Sequence, residues 1–179
     1  MSEAAGAVPP ASEQEDTAPP EWPPPGEVVH RATGRVLPVD PDGRVLLLHG
    51  WVPERPDEPF WFTVGGAAEY GESLRDAAAR ELHEEAGFTA SPESLGEPIG
   101  ESTIEFTWAE RLIVQQQTFY AVAVAHAEVS FAGLDVWERD TIDKHGWFTA
   151  EELIATGEAG HPDIPELIRA ATARVHESR

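Results

Sequence analysis

The sequence predicts one α+β or α/β sandwich, and three observations carry this prediction. Apolar and alternating stretches typical of strands lie on both sides of one strong helical segment, residues 73–86. Two further helical patterns follow the last strand. The chain has 179 residues, of which 41% are hydrophobic, enough for one core. Strands, a helix, more strands and then helices are typical of a layered sandwich.

The first segment, residues 1–26, differs in composition from the rest of the chain. It is rich in proline and acidic residues, contains no basic residue and reaches Pro23-Pro24-Pro25 near its end. Such a segment buries too little apolar surface to offset the entropy of ordering it. We therefore expect a disordered, proline-rich acidic tail over residues 1–26 and a folded domain over residues 27–179.

Two strands open the predicted domain. Residues 28–40 and 44–49 flank Pro41-Asp42-Gly43, a turn signal. The second strand contains a continuous apolar run at residues 45–48, which indicates burial on both faces.

A loop over residues 50–59 precedes a short predicted strand, residues 60–64. Side chains alternate along a strand, so Trp61 faces opposite to Phe60 and Phe62. One set packs in the core. The other either packs as well or stacks on a nucleobase.

Residues 91–96 are predicted to connect the central helix to two more strands. These cover residues 99–108 and 111–129 and meet at a tight turn, Ala109-Glu110. The polar run Gln115–Gln117 interrupts the apolar pattern of the second strand. It either faces a wet cleft or covers a sheet edge.

The C-terminal part continues with a loop over residues 130–143 and a short strand over residues 145–148. Thr149 and Glu152 have the spacing of a capping box and predict the start of a helix. The apolar spacing predicts a last amphipathic helix over residues 163–177.

The central segment runs from Gly66 to Phe88 and begins with glycines. Ser73 is placed to cap a helix, with Asp76 three residues later. Gly87 stands where a left-handed residue commonly ends a helix.

Acidic residues cluster on one face of that helix. At roughly 100° per residue, Glu81 and Glu85 continue its apolar stripe, and Glu84 lies beside them. Carboxylates crowded on an inward-leaning face repel one another and lose hydration, so they need positive charge. A divalent cation with oxygen ligands meets this need, and magnesium is usual where substrates carry phosphates. The alternative is an ordinary acidic amphipathic helix.

Fixed spacing links these residues into one 23-residue motif. In order it contains Gly66, five residues, Glu72, seven residues, Arg80-Glu81-Leu82, one residue, Glu84-Glu85, one residue and Gly87-Phe88. This pattern resembles the signature of the Nudix hydrolase family, the MutT-like nucleotide pyrophosphohydrolases, at every fixed position. The resemblance implies a mixed β-sheet between helices, an α/β/α sandwich.

The resemblance also implies a reaction and a set of site residues. Water attacks a phosphorus of a nucleoside diphosphate linked to another moiety, with Mg²⁺ or Mn²⁺ as cofactor. The implied ligands are Glu81, Glu84, Glu85 and the backbone carbonyl of Gly65. The residues implied to support the site are Gly66, Glu72 and Arg80. Glu69 and Tyr70 occupy variable positions and are expected to be solvent-exposed.

A further carboxylate from outside the motif often assists catalysis in this family, as a base or a metal ligand. Glu138 is our candidate in the loop of residues 130–143, followed by Asp140 and Asp135. Each of the three is alternatively a solvated loop acid.

Composition limits the other possibilities. The net charge of −21 argues against duplex nucleic acid as a partner. There is no cysteine, no apolar run long enough to span a membrane and no secretory signal, so we expect a cytoplasmic protein without membrane partners. The sequence is compatible with a homodimer and with a monomer. Alternative functions on the same fold are an isomerase or another non-hydrolytic diphosphate enzyme, and a nucleotide-binding regulatory module. The resemblance does not identify the nucleotide.

Overall fold

The computed structural model describes residues 24–108, 110–125 and 128–178. Most of the predicted tail therefore lies outside the described residues. Within these ranges the strands are β1 Val28–Val39, β2 Val45–Gly50, β3 Phe60–Phe62, β4 Val64–Ala67, β5 Gly100–Trp108, β6 Arg111–Ala123 and β7 Ile142–Phe148. The α-helices are α1 Leu74–Ala86, α2 Val136–Thr141, α3 Ala150–Thr156 and α4 Ile164–Glu177, and a 3-10 helix covers Pro92–Leu95.

The strands form one mixed sheet around β1. Its main order is β3-β2-β1-β6-β5, while β4 pairs with β1 and β7 pairs with β2. The pairing of β1 with β6 is parallel along the whole of β1, and the other pairings are antiparallel. Helices cover both faces of this sheet, as the sequence predicted.

The core consists of two apolar layers, one on each face. In β2, Leu46 and Leu48 pack on the side of α1, whereas Val45 and Leu47 pack on the side of α3 and α4. All four side chains are fully buried. The prediction that this strand is buried on both faces is confirmed.

The predicted strand at residues 60–64 is two strands in the structure. β3 ends at Phe62, and β4 carries Gly65 and Gly66 within its own pairing with β1. Trp61 is buried, with its ring centroid 4.5 Å from that of Phe148. Core packing is therefore the correct alternative for Trp61.

Three boundaries after the central helix were wrong. β7 begins at Ile142, three residues before the predicted start of that strand at residue 145. β6 ends at Ala123, six residues before the predicted end. The predicted loop at residues 130–143 contains α2, which begins with a capping box: Glu138 N–H donates to Asp135 Oδ1 at 2.8 Å, and Asp135 N–H donates to Glu138 Oε2 at 2.9 Å. A six-residue helix carries little periodicity, so its cap was its only local signal.

The C-terminal helices follow the prediction. Thr149 and Glu152 form the expected capping box at the start of α3. α4 lies along the sheet with Ile168 and Ala171 buried. None of the helices in the described ranges combines the length and apolar character that crossing a membrane requires.

Candidate active site

Two glycines of β4 allow the central helix to approach the sheet. Gly65 stands opposite Arg35 in β1, and Gly66 stands opposite Gly34. Gly65 has φ +127°, a conformation that L side chains rarely adopt. A Cβ atom on Gly66 would lie 2.3 Å from Oε1 of Glu81. Glycine is therefore required at both positions for a carboxylate to reach the β4 backbone.

The ends of α1 are fixed as the sequence predicted. Asp76 N–H donates to Ser73 Oγ at 3.1 Å. Gly87, with φ +77°, closes the helix with a hydrogen bond to the His83 carbonyl. The helix also lies directly on β1, where a Cβ on Gly34 would clash with the backbone of Leu74.

Arg80 joins α1 to the loop between β4 and α1, residues 68–73, which we call the glycine loop. Its Nε and Nη2 donate to the two carboxylate oxygens of Glu72 at 3.0 Å, and its Nη1 donates to Glu81 at 2.8 Å and to Glu84 at 3.0 Å. Nη2 also donates to the Ala67 carbonyl. These hydrogen bonds lower the pKa of Glu72 and raise that of Arg80. The fork geometry fits the supporting role predicted for Glu72 and Arg80.

Three carboxylates from two helices come together at the end of α1. Glu81, Glu85 and Glu138 each offer an oxygen atom within 4.8 Å of the other two. Glu81 is 8% exposed and Glu85 is 5% exposed, whereas Glu138 is partly exposed. The two buried acids thus lie on the inner side of the cluster, and Glu138 lies on its solvent side.

The chain between β6 and α2 brings Glu138 to this position. Ser130 N–H donates to the Ala86 carbonyl at the end of α1. Gly133 lies so close to the same helix that a Cβ would be 2.5 Å from the Glu84 carbonyl oxygen. Arg139 then holds the loop by donating to the Leu134 carbonyl at 2.9 Å.

Burial dominates the electrostatics of the cluster. It raises the pKa of Glu85 well above the ordinary value, although the nearby charge of Arg35 opposes the change. Burial also raises the pKa values of Glu81 and Glu138, and Arg80 opposes this effect at Glu81. Ionising the whole cluster is unfavourable unless a cation enters.

Arg35 is a site residue that the sequence reasoning missed. Its Nε donates to Thr63 Oγ1 at 3.0 Å, and its terminal nitrogens donate to the carbonyl oxygens of Thr63 and Gly65. It therefore fixes the backbone of β4, which carries Gly65 and Gly66 and which we call the glycine strand. An arginine on the same strand face as the buried residues Leu37 and Val39 was the available signal.

The remaining predicted residues lie around the cluster. The side chain of Glu84 is 43% exposed and pairs with Arg80, outside the three-carboxylate group. The Gly65 carbonyl accepts from Arg35 and keeps a second lone pair. Asp135 and Asp140 are exposed and lie outside the group. Glu69 and Tyr70 are exposed, as expected.

The donor set fits a hard divalent cation. It consists of carboxylate oxygens, two of them on buried side chains with raised pKa values. Oxygen ligands of this kind suit Mg²⁺, Mn²⁺ or Ca²⁺, while softer metals prefer nitrogen and sulfur donors.

Comparison with known proteins gives a family match and several similar folds. A family model described as NUDIX domain matches residues 28–169. No curated protein sequence matches the chain significantly.

Three solved structures illustrate the similarity. A MutT protein from Methanosarcina mazei Go1 is 21% identical, with 84% of this chain and 95% of that chain covered and a TM-score of 0.53. The E. coli dihydroneopterin triphosphate pyrophosphohydrolase is 20% identical, with coverages of 82% and 99% and a TM-score of 0.59. A C. elegans Ap4A hydrolase is 18% identical, with coverages of 81% and 96% and a TM-score of 0.50. At these identities the likeness shows the fold.

Proposed function

The chain belongs to the NUDIX domain family and is a hydrolase of pyrophosphate bonds, and we propose that it cleaves nucleoside diphosphate derivatives with the help of a divalent cation at the Glu81–Glu85–Glu138 cluster. One observation carries the proposal: carboxylates from α1 and α2 meet within 4.8 Å, and two of them are buried. Two or more buried acids without a matching cation are an unfavourable arrangement for a purely structural role.

Glu81 and Glu85 are the residues that would hold the cation, beside Glu138. The Gly65 carbonyl and Glu84 are further ligands proposed from the family motif. A bound Mg²⁺ or Mn²⁺ supplies charge neutralisation on the phosphates and activation of water.

The protein's own groups have separate roles in this proposal. Glu138 accepts a proton from the attacking water, because it is the partly exposed member of the cluster and burial raises its pKa toward the range of a useful base. The water oxygen bonds to phosphorus, and the bond from phosphorus to the bridging oxygen breaks. The leaving phosphate keeps the electron pair of that bond. Arg35 and Arg80 hold the glycine strand and the helix in place.

A substrate panel tests the proposal. The full chain is passed over a chelating resin and assayed with ADP-ribose, nucleotide sugars, oxidised deoxynucleoside triphosphates, Ap4A and dihydroneopterin triphosphate, the last two because similar structures are named for them. Released phosphate is measured after coupling to pyrophosphatase for the triphosphates and to phosphatase for the substrates without a terminal phosphate. We expect cleavage of at least one compound with Mg²⁺ or Mn²⁺ and none without metal.

Matched controls separate the alternatives. Glu85→Gln should lose the activity, while Glu69→Gln, on the exposed loop, should keep it. Binding without any cleavage would support a regulatory module. An isomerised product would support a non-hydrolytic enzyme, and full activity without metal would contradict the proposed mechanism. A cytoplasmic location, a homodimer and the division into tail and domain at residue 26 stay predictions.

A further inference from the structure

A chain of polar side chains crosses the sheet away from the carboxylate cluster. Arg31 Nε donates to Gln115 Oε1 at 2.6 Å, Gln115 Nε2 donates to Gln117 Oε1 at 3.1 Å, and Gln117 Nε2 donates to Ser102 Oγ at 3.2 Å. Gln115 is 4% exposed and Gln117 is 7% exposed, whereas Arg31 is partly exposed. A guanidinium only donates hydrogen bonds, so the amide of Gln115 accepts through its oxygen and donates through its nitrogen to Gln117.

The charge of Arg31 has no partner in the described part of the chain. No carboxylate there forms an ion pair with it, and its two terminal nitrogens make no hydrogen bond there. Its guanidinium lies 5.6 Å from the ring centroid of Phe106, which offsets only part of the cost of burying charge. Burial and the like charge of Arg35 lower the pKa of Arg31 to about 10, so it stays protonated near neutral pH.

This arrangement is unusual for a chain with 33 acidic and 12 basic residues. Arg80 is hydrogen-bonded to three carboxylates, and Arg35 lies near Glu81 and Glu85. Gln115 occupies the position from which a glutamate would neutralise Arg31. A positively charged donor held rigid by neutral amides is suited to bind an anion that is not part of the protein.

The strand geometry places this group at a distance from the proposed reaction. Arg31 precedes Arg35 by four residues on β1, about 13 Å along an extended strand. Arg35 stands opposite Gly65 in the register. An anion held by Arg31 would therefore lie farther toward the start of β1 than the point where Arg35 meets Gly65.

We propose that Arg31 binds an anionic oxygen group, a phosphate or a carboxylate, on the part of the substrate that extends beyond the scissile diphosphate. Gln115 and Gln117 position the guanidinium, and Phe106 packs beside it. The assignment to the substrate rests on the proposed function, and it narrows the substrate to nucleotide derivatives with an additional acidic group.

Anion binding in the absence of metal tests this inference. The metal-free full chain is titrated calorimetrically with inorganic tripolyphosphate and, separately, with citrate. Arg31→Gln should weaken binding by about tenfold or more, since hydrogen bonds to charged groups are stronger than neutral ones. Arg55→Gln is the matched control, because Arg55 is exposed and paired with Glu58. It should bind like the wild type.

A second variant keeps the guanidinium in place. Gln115→Glu puts a carboxylate beside Arg31 and cancels its charge, so it should weaken anion binding as Arg31→Gln does. If Arg31→Gln does not fold, this variant decides the question. Binding of tripolyphosphate alone assigns a phosphate site, and binding of citrate alone assigns a carboxylate site. If the wild type binds both tripolyphosphate and citrate and the variants bind both more weakly, the site binds oxyanions in general.

Two results would overturn the inference: no binding of either anion by the wild type at millimolar concentration, or unchanged binding in both variants. Neither result depends on turnover. If the protein hydrolyses no substrate but binds anions through Arg31, the proposed function is refuted and the anion site at Arg31 stands. Hydrolysis with unchanged anion binding would refute this inference alone. In the active enzyme, Arg31→Gln should raise KM for substrates with the additional acidic group, whereas Arg55→Gln should leave that KM unchanged.

Discussion

The backbone N–H of Gly65 donates a 2.7 Å hydrogen bond to Oε2 of Glu85, which lies 20 residues further along the chain. This contact joins the glycine strand to the last turn of α1. The position of the buried carboxylate therefore depends on the β4 backbone, which Arg35 fixes from the other side.

The two buried acids should matter for turnover more than for stability. Glu81→Gln and Glu85→Gln keep the size of the side chain and remove its charge, so each should lower kcat by about 10²–10³ in the presence of Mg²⁺. Glu69→Gln is the control, since Glu69 is exposed on the glycine loop. Near-normal kcat in both Glu81→Gln and Glu85→Gln would show that the cluster takes no part in the reaction.

Glu138 has a capping role that can be separated from its charge. Glutamine also serves in a capping box, so Glu138→Gln should keep the melting temperature while lowering kcat to a degree similar to Glu85→Gln. Glu152→Gln makes the same change in the capping box of α3 and should alter neither quantity. Wild-type kinetics for Glu138→Gln would assign the base to another group.

Arg35 should stabilise the glycine strand. Arg35→Met leaves the carbonyl oxygens of Thr63 and Gly65 without their donors, which costs about 1–3 kcal/mol for each group left unsatisfied. Chemical denaturation should show this loss, whereas Arg55→Met, at an exposed position, should change the free energy of unfolding little. Equal stability of the two variants would show that Arg35 does not support the strand.

Ionisation of Glu85 should destabilise the metal-free protein as pH rises. The pKa of Glu85 is raised above 4.5 in the folded state, so the folded protein keeps a proton that the unfolded chain releases, and stability falls from about pH 4.5 toward the folded pKa. Glu85→Gln should therefore melt above the wild type at about pH 8, with a smaller difference at about pH 5. Glu105→Gln, on an exposed strand position, should show no such trend. A difference independent of pH would contradict the assigned cause.

The predicted tail should be dispensable. Deleting residues 1–23 should leave the melting temperature and kcat unchanged, because the composition offers little apolar surface to bury. Thermal melts and the substrate assay compare the deletion with the full chain. A clear drop in melting temperature would instead indicate that this segment packs on the domain.

Local features were predictable because their signals lie within a few residues of one another. The limits of α1 follow from Ser73 and Gly87, and its acidic face follows from helical periodicity. The spacing of the motif carried the resemblance to the family, and the family match covers residues 28–169. Predictions failed where a signal was short, as in α2, or where an element was split, as at β3 and β4.

The sequence by itself determined the central helix, its carboxylates and the family of the protein. Only the tertiary structure decided which distant side chains meet. Arg31 and Gln115 are 84 residues apart and contact each other because β1 and β6 pair in parallel. Glu138 joins Glu81 and Glu85 because the chain after β6 packs against the end of α1. Strand register and loop packing depend on burial across the whole fold, and no local pattern encodes them.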